Sequence, residues 1–149
     1  MGAVIRRAGI EDLAACAAII NEVIDETDWL PRLQSPKDIA GMFVPGILEI
    51  RTMLVAEVGG DVVGYLSATP EGKVPGFYLT RHARGRGIGK ALLGEAKAAF
   101  PAGLQLTVFE PNAEARRFYA REGFVELPGG RDEVTKEGVP TLLLEWRGA

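Results

Sequence analysis

Cysteine is nearly absent from this 149-residue chain, in which Cys16 stands alone. An internal disulfide is therefore excluded, and a reducing, cytoplasmic setting is the expectation. Cys16 lies in Leu-Ala-Ala-Cys-Ala-Ala-Ile-Ile, a run that suits a small core residue better than a nucleophile. Long apolar runs are missing too. None approaches the roughly 20 residues of a membrane span, and no signal peptide is visible. Nor is there an excess of positive charge. A net charge of −3 and a pI near 5.3 argue against a wide basic face for nucleic acid. Repeats, linkers and low-complexity segments are absent as well, so residues 1–149 are expected to form one domain with a real core.

What the chain does have is a basic, glycine-rich stretch at 77–93. Arg81, Arg84, Arg86 and Lys90 place four cations among ten residues of an otherwise mildly acidic chain. Gly85, Gly87 and Gly89 fall between them, after an apolar strand and before an amphipathic helix. The first four N–H groups of a helix lack partners within it, and the helix dipole favours negative charge there. Glycines remove the side chains that would keep a bulky anion off the backbone. The stretch reads as a seat for a pyrophosphate. It is not a P-loop, since Arg84 and Ala91 stand where Gly and a hydroxyl are needed. Nor is it a dinucleotide fingerprint, because Lys90 or Leu92 occupies the third small position.

The remaining elements read in order. Val4–Arg6 is a short strand, and 11–26 a helix with Ile10, Leu13, Ala17, Ile20 and Ile24 at helical spacing. Ser35-Pro36-Lys37-Asp38 opens a second short helix, which Pro45-Gly46 ends. Residues 51–58 and 62–68 form an antiparallel hairpin around Gly59-Gly60-Asp61. Strand 74–80, helix 87–100 and strand 104–108 imply a parallel pair with a right-handed crossover. A helix from Pro111-Asn112 through Arg121, a strand at 124–126 and a last strand at 141–146 complete the chain. The fold class is α/β, with a mixed, mostly antiparallel sheet flanked by about four helices.

Two segments carry a resemblance. Arg84-Gly85-Arg86-Gly87-Ile88-Gly89 fits Arg/Gln-x-x-Gly-x-Gly/Ala, and Asn112-x-x-Ala115-x-x-Phe118-Tyr119-x-x-x-Gly123-Phe124 follows at the expected distance. Together they resemble the acetyl-CoA-binding half of the GCN5-related N-acetyltransferases (GNAT), over roughly 74–126. The resemblance implies acetyl-CoA as cofactor and an amine as acceptor, with no metal. It also implies that strands 74–80 and 104–108 splay into a V. Backbone groups of Tyr78, Leu79 and Thr80 would then pair with pantetheine, and an N–H near Leu79 would face the thioester carbonyl. The amides of Arg84, Gly85, Arg86, Gly87, Ile88, Gly89 and Lys90 would take the pyrophosphate.

Asn112 suits either a hydrogen bond to pantetheine or a plain helix N-cap, and Tyr119 either the family's general acid or a packed aromatic. The acceptor is expected where the first helices meet the final hairpin. Asp25, Glu26, Asp28 and Trp29 fall there, and could draw a cationic amine or simply end a helix. The pattern departs from the family in having Arg81 in place of a common proline, and no carboxylate on 74–80. The base is therefore open between Glu71, a residue from another element, and water; His82 suits solvent or phosphate better. The expected activity is direct acetyl transfer to a small primary amine, with a non-catalytic acyl-CoA module or a peptide acetyltransferase as alternatives. Relatives often pair, so a homodimer is expected.

Overall fold

The computed structural model of the chain describes residues 2–148. Among these, seven strands form two antiparallel sheets. The first has the order β1 (Val4–Arg7), β2 (Thr52–Val58), β3 (Asp61–Ala68), β4 (Gly76–Leu79). The second has the order β5 (Leu104–Phe109), β7 (Thr141–Trp146), β6 (Val125–Glu126). The sheets meet through a single parallel bridge, Lys73 to Gln105. There Val74 N–H donates to Gln105 O, and Gln105 N–H to Gly72 O, each at 2.9 Å. Beyond that bridge β4 and β5 are not paired with each other. The expected parallel pair is thus reduced to one contact, and the strands part as a V.

Pro75 explains why β4 starts at Gly76 rather than Val74. It has no N–H to give a ladder, so Val74 bonds across to Gln105 instead of to β3.

Five α-helices flank the sheets among the described residues: α1 (Leu13–Glu26), α2 (Pro36–Gly41), α3 (Ile47–Ile50), α4 (Ile88–Ala99) and α5 (Ala113–Arg121). The single turn α3 is one helix more than the sequence suggested. Helix α2 starts as expected, with Ser35 Oγ accepting from Asp38 N–H at 3.1 Å and Pro36 in its first turn. Helix α1 starts later than expected. Residues Ile10–Asp12 wind as a 3-10 turn, whose tighter pitch takes Ile10 out of the apolar stripe and leaves it 63% exposed. The buried stripe is Leu13, Cys16, Ala17 and Ile19.

Alternation along the first sheet serves two cores. Met53, Val55 and Tyr65 face α1, packing on Leu13, Cys16 and Ile19. Leu54, Ala56, Leu66 and Ala68 face α4, joining Leu92, Leu93 and Ala96 and the second sheet's Leu104, Leu106, Val108, Leu142 and Leu144. Each buried Leu, Ile, Val or Met side chain among these contributes about 1.5–3 kcal/mol relative to exposure, and each alanine less. Burial on both faces explains why 52–58 reads as a continuous apolar run rather than an alternating one. No helix of the described residues is long and apolar enough to cross a membrane.

Candidate active site

The glycine turn begins where β4 ends. Arg81–Ala83 form a 3-10 turn anchored by the buried Ala83, and Arg84 is extended. Gly85 and Gly87 then take left-handed conformations, with φ of 75° and 79°. Other residues adopt that region only at a cost, which places glycine at both points. Gly87 caps α4 with no side-chain hydrogen bond, and the first helical bond runs from Ala91 N–H to Gly87 O. The N–H groups of Ile88, Gly89 and Lys90 therefore have no acceptor in the helix. A Cβ at Gly85 or Gly87 would meet no atom within 4 Å, so the space before these donors is open. At Gly89 a Cβ would stand 3.3 Å from Leu79 Cδ1 and 3.6 Å from Phe118 Cζ, which seats the helix start against β4. Unpaired amides, a positive dipole end, open space and exposed Arg86 and Lys90 together fit a diphosphate.

The neighbouring gap is set by the register of β4. Thr80 N–H donates to Val63 O at 2.8 Å, and Tyr78 lies opposite Tyr65. Strand alternation turns the backbone groups of Tyr78 and Thr80 toward β3 and those of Phe77 and Leu79 away from it, into the gap. Of the three residues expected to meet the arm of a cofactor, only Leu79 offers it backbone groups.

Tyr119 stands on α5 and packs beside Phe77 of β4. Its ring packs against Phe118 and Phe124 at 5.4 Å and Phe77 at 6.3 Å, and the residue is 9% exposed. Burial, and then the neighbouring Tyr78, raise its phenol well above the ordinary tyrosine range. It therefore stays protonated at neutral and mildly alkaline pH. Asn112 caps α5, its side-chain oxygen accepting from Ala115 N–H at 3.1 Å.

The acidic patch divides. Asp25 pairs with Arg32 at 2.7 Å, and Arg32 also donates to Asn21 Oδ1 at 2.8 Å. Asp28 is exposed, and Trp29 packs edge-on against Phe109 at 5.6 Å. Glu26 instead pairs with Arg84 of the glycine turn, and Arg84 Nη2 also donates to Leu79 O at 3.1 Å. Glu22, one helical turn earlier, accepts from Arg81 N–H at 3.1 Å. The sequence reading missed Glu22, although its i, i+4 spacing to Glu26 puts both on one helix face.

It also missed Glu137. Burial raises the Tyr78 phenol, and the Glu137 carboxylate raises it further. Glu71 is exposed beside the Lys73–Gln105 bridge, at the closed end of the V. His82 is exposed on the 3-10 turn. Cys16 is fully buried, and that burial, with Asp12 adding to it, pushes its thiol up to about 12. Among the described residues no cluster of His, Cys, Asp and Glu could hold a metal ion. An open groove of about 420 Å³ lies elsewhere, between α5 and the second sheet beside Arg116, Arg117 and Phe124.

Comparison with known proteins agrees with this fold. Residues 49–126 match the family model described as "Acetyltransferase (GNAT) domain". No curated protein matches the chain. Among solved structures it is similar to apo-form YjaB from Escherichia coli, at 27% identity over 100% of both chains with a TM-score of 0.77. It is also similar to ribosomal-protein-alanine N-acetyltransferase from Brucella melitensis, at 28% identity over 95% of this chain and 98% of that one, TM-score 0.74. In fold alone it matches yncA from Salmonella typhimurium, a structure solved with acetyl-CoA, at 21% identity over 99% and 94% of the two chains, TM-score 0.76. The chain belongs to the GNAT family of acetyltransferases, enzymes that use acetyl-CoA.

Proposed function

We propose that this chain, as one domain, transfers an acetyl group directly from acetyl-CoA to the primary amine of a small molecule. What supports the reading is the arrangement around β4: its free edge carries the Leu79 N–H, the Tyr119 ring packs on Phe77 of the same strand, and α4 starts without a side-chain cap just after it. Acetyl-CoA supplies an activated thioester, and the chain's own groups do the rest. Amides from Arg84 to Lys90 hold the diphosphate, with Arg86 and Lys90 adding charge. The free edge of β4 at Phe77 and Leu79 holds the pantetheine as an added strand. The Leu79 N–H donates to the thioester carbonyl oxygen as charge builds there, a contact typically worth about 3–4 kcal/mol. Tyr119 gives its proton to the departing sulfur, burial ensuring that the proton is present at working pH. Asn112 spends its oxygen on the helix cap, so its amide nitrogen is the group left for the cofactor.

Glu22 and Glu26 give the acceptor side negative charge, which draws a cationic amine. Asp25 is the least suited of the predicted carboxylates because Arg32 already neutralises it. Glu71 lies at the closed end of the V beside the Lys73–Gln105 bridge, which leaves the base to a residue of another element or to water. Cys16 is sealed and poorly ionised, which disfavours an acetylated thiol intermediate. Cytoplasmic residence and pairing as a homodimer belong to the same reading, the one from the reduced cysteine and the other from the habit of the family.

The Brucella melitensis relative is named for acting on a ribosomal protein's alanine, which favours a peptide amine as the second reading. Incubation with acetyl-CoA and a panel of small amines and N-terminal peptides, followed by free-thiol release and mass spectrometry, separates the two. Acetylated small amines support the first reading, and product from peptides alone supports the second. Tight CoA binding with no product from either would leave a non-catalytic acyl-CoA module.

A further inference from the structure

Arg84 occupies the edge of β4 in the ligand-free chain. Its Nη2 donates to Leu79 O at 3.1 Å and pairs with the Glu26 carboxylate. Leu79 O points into the gap with Leu79 N–H, because the two groups of one residue share a side in an antiparallel strand. A pantetheine arm added as a strand needs that same carbonyl for an amide donor. The two demands on Leu79 O conflict.

We infer that Arg84 exchanges partners when the cofactor binds, leaving Leu79 O and Glu26 for the diphosphate, and so exposes Glu26 as the counter-charge for the acceptor amine. This rests on the acetyl-transfer reading above and adds to it the event that frees Glu26 for a cationic amine. A guanidinium matches phosphate oxygens in a two-pronged fashion, and a diphosphate offers more charge than one carboxylate. Arg84 directly precedes Gly85, in front of which the space is open, so its path to the turn is short. Glu26 makes no other side-chain hydrogen bond among the described residues and keeps 20% of its side chain exposed. Once Arg84 departs, Glu26 holds an unbalanced negative charge beside Leu79. In the free chain an acceptor ammonium must compete with Arg84 for that carboxylate; in the loaded chain it does not. Cofactor and acceptor affinity are thereby linked.

Calorimetric titration of CoA into wild type, Glu26→Gln, Arg84→Met and the double variant tests this. Glu26→Gln removes what holds Arg84 away from the turn, so CoA binding should tighten by about three- to fivefold, the size of a partly exposed ion pair. Arg84→Met should weaken CoA binding, and in that background Glu26→Gln should have no effect. Unchanged or weaker CoA binding by Glu26→Gln contradicts the exchange. Equal tightening with and without Arg84 does so too, since it would reflect charge alone. Thermal melts verify folding, with Arg84→Gln replacing Arg84→Met if the latter does not fold. Failure of the wild type to bind CoA would be a different result: it would remove the acetyl-transfer reading itself and this inference with it.

Discussion

Tyr119 owes its chemistry to its surroundings. Three phenylalanine rings exclude water from its own ring, so the neutral phenol is favoured over the phenolate. A raised value means the proton stays on as pH climbs past tyrosine's usual 10. Tyr119→Phe should lower kcat by about 10²-fold or more, with CoA affinity little changed. Steady-state kinetics and calorimetry on one preparation check both halves. The same phenol predicts a pH profile without a Tyr119-dependent fall below pH 10. Activity should rise from neutral pH as the acceptor amine loses its proton. A descending limb near pH 8–9 that disappears in Tyr119→Phe would show a phenol of lowered pKa, against this account.

At the scale of elements, strand, turn and helix 76–99 form the unit on which the site depends. Gly87 is left-handed and open in front, so Gly87→Glu adds strain of about 1 kcal/mol and places a negative charge before the donors of α4. CoA affinity should fall on the order of 10²-fold or more while the circular dichroism of the fold persists. Unchanged affinity would move the diphosphate elsewhere. This unit was legible in the sequence because its determinants are local. The glycines, the cations and the apolar helix face all lie within a few turns of one another, as do Ser35 and Asp38 at the start of α2. What escaped the sequence is non-local. Glu22 meets Arg81 across 59 residues, and Arg84 meets Glu26 across 58. The Glu137 charge acts on Tyr78 across 59 residues of sequence in the same way. The shortened β4 and the single parallel bridge follow from Pro75 and from which partner Val74 finds, a choice that periodicity does not encode. The late start of α1 follows from Asp12 turning inward, where apolar spacing alone pointed to Ile10.

Across the whole molecule, that inward Asp12 joins the first sheet to α1. Arg6 on β1 donates to both Asp12 oxygens, at 2.7 and 3.0 Å, and to Glu57 on β2 at 2.9 Å. Gly9 N–H adds a third bond to Asp12 at 2.7 Å. The Arg6 hydrogen bonds hold the Asp12 carboxyl below its ordinary 3.8, against the opposing effect of burial. A carboxyl lowered on folding stabilises the fold fully above its unfolded value and loses that contribution as pH falls through the folded value. Asp12→Asn should therefore melt lower than wild type by a constant margin above about pH 5, and the margin should close below pH 3.8. Melting curves of both proteins between pH 7 and 3 check this, and a pH-independent margin would assign the loss to packing instead.

The two cores and this lock fix the first sheet while β5 diverges from it, and the divergence is what leaves Leu79 a free edge. A crystal structure of the protein with CoA tests that claim most directly. The account predicts the diphosphate against the amides of Arg84–Lys90 and the pantetheine lying along β4 within hydrogen-bonding distance of Leu79. CoA bound in the groove beside Arg116 and Arg117, or anywhere that leaves the glycine turn bare, would contradict it.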